Sequence, residues 1–186
     1  MALMVGDRPV HKLSVDDVYR MLESGVLTED SPVELLEGVL VEMSPKSPEH
    51  SWTIAQLDGW LLPLRAAGTH LVRTEQPLVA SDSLSMPEPD LSVVGVDLDR
   101  SRHPQTALLV VEVSISSLRT DRIVKSALYA SAGVPDYWIV DVEHRRLEVR
   151  REPEAGEYRH VEVLGPEDDV TPLGLDLPPL ELARIL

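Results

Sequence analysis

Residues 108–141 read LLVVEVSISSLRTDRIVKSALYASAGVPDYWIVD, and the fold turns on this stretch. Leu108 to Val113 holds five apolar residues in six, interrupted only by Glu112. Such a run suits a strand covered on both faces. A helical pattern follows, with Ile123, Val124, Ala127, Leu128 and Ala132 sharing one side. Thr120 or Ser117 is available to cap its start, and Gly133 followed by Pro135 stops it. A second apolar run, Tyr137 to Val140, closes the unit. Strand, helix, strand predicts parallel pairing with a right-handed crossover. Glu112 is the anomaly. A carboxylate in a core strand is costly unless paired, which predicts a metal or a Lys beside it.

The chain has 186 residues, enough for one domain with a sizeable core. The expectation is a single domain over 1–186, with a helical element in 1–30 and an irregular segment from 164 to 186. Apolar content of 43% and charged content of 26% are ordinary for a soluble globular protein. Without Cys there is no disulfide frame and no thiolate metal site. MALMVGDRPV is too short and too broken for a signal peptide, and no run is long enough to span a bilayer. A cytoplasmic protein without a membrane partner is therefore expected. The net charge of −15 argues against tight, sequence-blind binding to nucleic acid. It leaves room for local basic surface at Arg119, Arg122 and Lys125, and again at Arg145, Arg146, Arg150 and Arg151.

Working outward, Ser14 reads as an N-cap with an acidic first turn, followed by the stripe Val15, Val18, Tyr19 and Leu22 and a stop at Gly25. Val33 to Glu37 reads as a turn of helix or an extended entry, Gly38 as a tight turn, and Val39 to Met43 as a strand. His50 to Ala67 is helical, with Pro63 kinking or ending it. Leu71 to Val79 and Asp90 to Val94 are strand candidates, and Trp138 reads as core. Leu147 to Val163 predicts a polar hairpin at a sheet edge, available to a second copy and hence to a homodimer.

Asp90, Glu112 and Lys125 form the constellation with chemistry in it. If their strands are neighbours, both carboxylates can face one cleft, and the following helix can supply the Lys. Two hard oxygen ligands suit magnesium or manganese, which hold waters and phosphate oxygens in their other positions. A nearby Lys can orient water or stabilise charge on phosphorus. Each residue also has a bland reading. Asp90 is then a strand-start residue, Glu112 half of a buried ion pair, and Lys125 the surface partner of Asp121 at i, i+4 spacing. Ser114, Ser116 and Ser117 lie in no G-x-S-x-G elbow, and neither G-x-G-x-x-G nor a P-loop is present.

VELLEGVLVEMSP followed by His50, then TEQPLV, PEPDLSVV, the 108–141 stretch and the terminal LPPLELARIL stand in a distinctive order and spacing. On these pieces the chain resembles the Uma-type restriction endonuclease family, a branch of the PD-(D/E)XK nuclease superfamily. The resemblance implies an α/β fold of the restriction-endonuclease type, a mixed central β-sheet flanked by α-helices. It implies a magnesium- or manganese-dependent DNA endonuclease, with the motif Asp at Asp90 and the motif Glu at Glu112. The superfamily's usual Lys two residues after that Glu is here Ser114, and Lys125 on the following helix would take its place. Glu34 matches an acidic position of the ELxxG stretch and is a further metal-side candidate. Gln76, His50 and Tyr129 are candidate substrate contacts, each with a bland alternative: hydrogen bonding for Gln76, capping or exposure for His50, packing for Tyr129. DNA is the implied partner, bound weakly or with help from another protein given the acidic charge. The competing reading is a catalytically silent module that keeps the nuclease fold for binding or assembly.

Overall fold

The computed structural model of the chain describes residues 4–5, 7–99 and 101–186. Two short strands, β1 (Met4–Val5) and β2 (Arg8–Pro9), pair antiparallel before helix α1 (Val15–Glu23). α1 starts at a capping box in which Ser14 and Asp17 satisfy each other's backbone N–H groups. A separate hairpin follows, β3 (Val33–Leu36) and β4 (Val39–Glu42). Of the two readings for Val33 to Glu37, the extended one holds. Glu37 and Gly38 both take positive φ, 50° and 84°, which matches the twist of a two-residue hairpin loop. A Cβ on Gly38 would lie 2.6 Å from the Lys12 Cβ, so only glycine fits there.

Helix α2 (Pro48–Trp60) and helix α3 (Leu62–Ala67) divide at Leu61, where Pro63 in the first turn of α3 breaks the ladder as expected. β5 (His70–Thr74) is shorter than the predicted run to Val79. Glu75 turns the chain at φ 51° and Pro77 cannot donate to a ladder. β6 (Leu91–Gly95), β7 (Leu109–Ser114), β8 (Asp136–Asp141), β9 (Arg146–Glu154) and β10 (Glu157–Leu164) complete the main sheet. Its order is β10-β9-β8-β7-β6-β5. Only β7 and β8 run parallel, so the sheet is mixed, and the α/β class is as predicted. β11 (Asp169–Val170) and β12 (Leu180–Glu181) pair antiparallel near the end of the chain.

One face of the sheet, with Val111, Val113, Trp138 and Val140, packs against Ile54, Leu57 and Leu61 and against Leu177, Leu182 and Ile185. The segment from 164 onward is largely irregular, yet it covers this face with fully buried side chains. Asp136 anchors it by accepting hydrogen bonds from Arg151, Trp138 and the backbone of Leu173. The opposite face, with Val110, Tyr137 and Ile139, packs against Tyr129, Ala130 and Val134.

The crossover between β7 and β8 departs from the predicted pattern. It consists of α4 (Leu118–Thr120), a π-helical turn at Asp121–Lys125, and α5 (Ser126–Ser131). The apolar side read from the sequence is not the buried one. Ile123 is 59% exposed and Ala127 is exposed, whereas Asp121, Lys125, Ser126 and Tyr129 are buried. The helix turns its polar groups inward because the strand beneath it carries Glu112, and a buried carboxylate demands donors more strongly than the sheet demands methyl groups.

Candidate active site

Asp90 stands one residue before β6, just beyond the last registered pair of the β6–β7 ladder, Leu91 with Val111. Continuing that antiparallel register sets Asp90 across from Glu112. The Asp90 Oδ2 accepts the backbone N–H of Val113 at 2.6 Å, satisfying a donor at the end of the ladder. Its Oδ1 lies 3.0 Å from Nε2 of His50, which sits in the first turn of α2. The hydrogen bond to Asp90 holds the imidazole above its ordinary pKa, against the opposing effect of burial.

Glu112 is 3% exposed at the middle of β7. Its Oε1 accepts from Lys125 Nζ at 3.1 Å and from the Tyr129 hydroxyl at 2.8 Å. Burial pushes the Glu112 carboxyl well up, against the pull of Lys125. Burial also pulls the Lys125 ammonium down, but the carboxylates of Glu112 and Glu34 outweigh it and hold the amine protonated. Glu34, on β3, brings its Oε2 to 3.1 Å from Lys125 Nζ and accepts the backbone N–H of Glu88 with the same oxygen.

Asp90, Glu112, Lys125, Glu34 and His50 line one cleft of about 260 Å³. Two candidates fall elsewhere. Gln76 accepts a hydrogen bond from Arg73 at 3.0 Å and is not among the residues lining the cleft. Tyr129 is 1% exposed and lies behind Glu112, so it orients that carboxylate and cannot itself meet a substrate. Burial pushes its hydroxyl well up, so it stays protonated and donates.

Sequence reasoning missed Asp121 and Glu88, which also line the cleft. Asp121 Oδ2 accepts from Ser114 at 2.5 Å and Ser117 at 2.6 Å, while its buried Oδ1 has no partner among the described residues. Ser114 thereby ties β7 to the π-helical turn. The Tyr137 hydroxyl donates to the Asp121 carbonyl at 3.0 Å. The only sequence signal was the Asp121–Lys125 spacing, which had been open to a surface reading. Burial raises the Glu88 carboxyl, with Lys46 pulling the other way.

The donor set fits a hydrated divalent cation. Glu112 Oε2 accepts no hydrogen bond among the described residues, and the residue faces the cleft. Magnesium keeps several waters and commonly takes one or two carboxylates, with phosphate oxygens completing its shell. Among the described residues no three His, Asp or Glu side chains form a cluster able to hold an ion by themselves. An ion held here would rest on two carboxylates and complete its shell with water. Glu34 spends its Oε2 on Lys125 and on Glu88 N–H.

A family model described as "Putative restriction endonuclease", Uma2, matches residues 15–183. No curated protein matches. Among solved structures, a "putative nuclease belonging to DUF820" from Anabaena variabilis ATCC 29413 has a TM-score of 0.66 and 15% identity, covering 93% of this chain and 97% of its own. At that identity the likeness is one of fold. The type IIG restriction endonuclease BpuSI gives a TM-score of 0.38 at 16% identity, over 59% of this chain and 12% of its own, and supports no reading of this one.

Proposed function

The chain belongs to the Uma2 restriction endonuclease family, and from that premise we propose that it is a magnesium- or manganese-dependent endonuclease hydrolysing DNA phosphodiester bonds. The single observation that carries the reading is the convergence of Asp90, Glu112 and Lys125 on one cleft. Asp90 and Glu112 would hold the ion. When bound there, it supplies Lewis acidity toward a phosphate oxygen and makes a water more acidic.

Lys125 is the permanent positive charge of the site. An ammonium has three donors, and Glu112 and Glu34 engage two, leaving one for a phosphate oxygen as negative charge builds on phosphorus. Tyr129 fixes the Glu112 carboxylate from behind, and His50 fixes Asp90 from the side. Lys46, 2.7 Å from Glu75 at the mouth of the cleft, can exchange that partner for a backbone phosphate. With a net charge of −15, DNA affinity should be low and fall steeply with salt, or depend on a partner protein. Residues 1–186 would act as one domain in the cytoplasm. No described helix is long and apolar enough to cross a membrane.

The test is cleavage of supercoiled and linear DNA with magnesium or manganese by the wild type, Asp90→Ala, Glu112→Ala and Lys125→Ala. Loss of cleavage in all three, with folding checked by circular dichroism, supports the proposal. Cleavage that survives all three equally comes from another site or a contaminant and removes it. One observation favours the alternative of a catalytically silent module: Asp90, Glu112 and Lys125 each already hold internal partners. Calorimetric titration with manganese separates the two. Heat that requires both carboxylates favours the enzyme, and no such heat favours the module.

A further inference from the structure

β10 ends the six-stranded sheet, and among the described residues β9 is its one strand neighbour. Its outward row of N–H and C=O groups is open to pairing. At eight residues it is long for an edge strand, and it contains no Pro. The ladder with β9 is regular from His160 to Leu164. Val161 and Val163 are 47% and 55% exposed. Val163 lies across from Glu148, which is ion-paired to Arg122, and the adjacent Ile123 is likewise exposed. An open edge thus coincides with apolar side chains that have no cover.

Symmetry restricts what can cover it. When two identical antiparallel edges meet, the two-fold axis stands perpendicular to the sheet, so opposed residues share a face and the axis passes through one residue paired with itself. Centring on Val161 sets Val161 against Val161 and His160 against Glu162 on both sides. Moving the axis one residue forward opposes two carboxylates at Glu162, and one residue back removes the Val161 self-pair and sets Val161 against Arg159. Like charges directly opposed are destabilising, whereas unlike pairs and β-branched pairs stabilise an antiparallel ladder. The geometry points to a second copy of this chain as the occupant, with β10 paired to β10 about Val161 and the two sheets joined into one. This inference does not depend on catalysis.

The chain contains no Cys, so Val161→Cys introduces a single thiol on the proposed axis. Mild oxidation or a short bis-maleimide should convert that variant to a covalent dimer. Leu71→Cys, exposed on the opposite edge strand β5, should stay monomeric under the same treatment. Sedimentation of the wild type should show a concentration-dependent dimer, and Val161→Lys, which opposes two ammonium groups, should raise its dissociation constant at least tenfold. A wild type that is monomeric at every concentration, a dimer indifferent to Val161→Lys, or equal cross-linking at 71 and 161 overturns the proposal. If Val161→Lys fails to fold, the cross-linking comparison still decides.

Discussion

The ammonium of Lys125 stands 3.1 Å from Glu34 Oε2 and 3.1 Å from Glu112 Oε1, so one cation joins a side hairpin to the central sheet. Both carboxylates and the amine are nearly excluded from solvent. Removing the cation leaves two buried charges facing each other. Lys125→Met should destabilise the fold by about 3–5 kcal/mol, the usual result of breaking a buried pair from one side. Urea unfolding measures this directly. A variant as stable as the wild type would mean that the two carboxylates take up protons in the folded state.

Tyr129→Phe removes one hydroxyl, the one 2.8 Å from Glu112 Oε1. The expected loss of stability is about 1–3 kcal/mol, since a buried acceptor loses a donor. If the proposed chemistry holds, kcat should fall while KM for DNA stays near its wild-type value, because the hydroxyl orients Glu112 and does not reach the cleft. An equal rise in KM would place the ring against the substrate instead.

The imidazole of His50 has a folded pKa raised above its ordinary 6.5, first by its hydrogen bond to Asp90. A raised folded value means that the folded state binds the proton more tightly than the unfolded chain. Its contribution to stability is therefore complete below the unfolded pKa and disappears as pH rises through the folded one. Metal-free protein should lose this increment as pH rises above 6.5, and His50→Gln should flatten that part of the profile. Thermal melts of both proteins at several pH values provide the comparison.

Gly38 carries φ 84°, and a Cβ added there would lie 2.6 Å from the Lys12 Cβ. Gly38→Ala meets both a left-handed backbone penalty of about 1–2 kcal/mol and a steric clash. The hairpin that holds Glu34 should loosen, so the variant should melt lower and exchange the amide hydrogens of β3 and β4 faster. Unchanged exchange in that hairpin would show that the Glu34–Lys125 pair alone keeps it in place.

Much of this architecture could be read in one dimension. The apolar runs around Val110 and Ile139 became the parallel pair at the heart of the sheet, because continuous apolar strands need cover on both faces. Glu112 was marked as needing a cation, and Lys125 is beside it. The helix between them was misread because periodicity counts methyl groups and ignores the strand's charge. Asp121 and Glu88 escaped notice because their burial depends on which residues lie above them, a fact absent from local spacing. Gln76 was read as a strand residue near Pro77 able to reach the substrate or to hydrogen-bond, and Arg73, three residues away, donates to it.

Local chemistry alone determined the two strands of the central parallel pair, the helical character of the link between them and the demand for charge compensation at Glu112. These follow from side-chain period, turn residues and the cost of burying a carboxylate, all of which are properties of a short segment. Tertiary structure alone decided that Glu34 shares the ammonium, that Asp121 is tied to β7 through Ser114 and Ser117, and that Tyr129 sits behind the cleft rather than in it. Those outcomes depend on where separate elements meet in space, and a buried polar group selects its partners from whatever that meeting supplies.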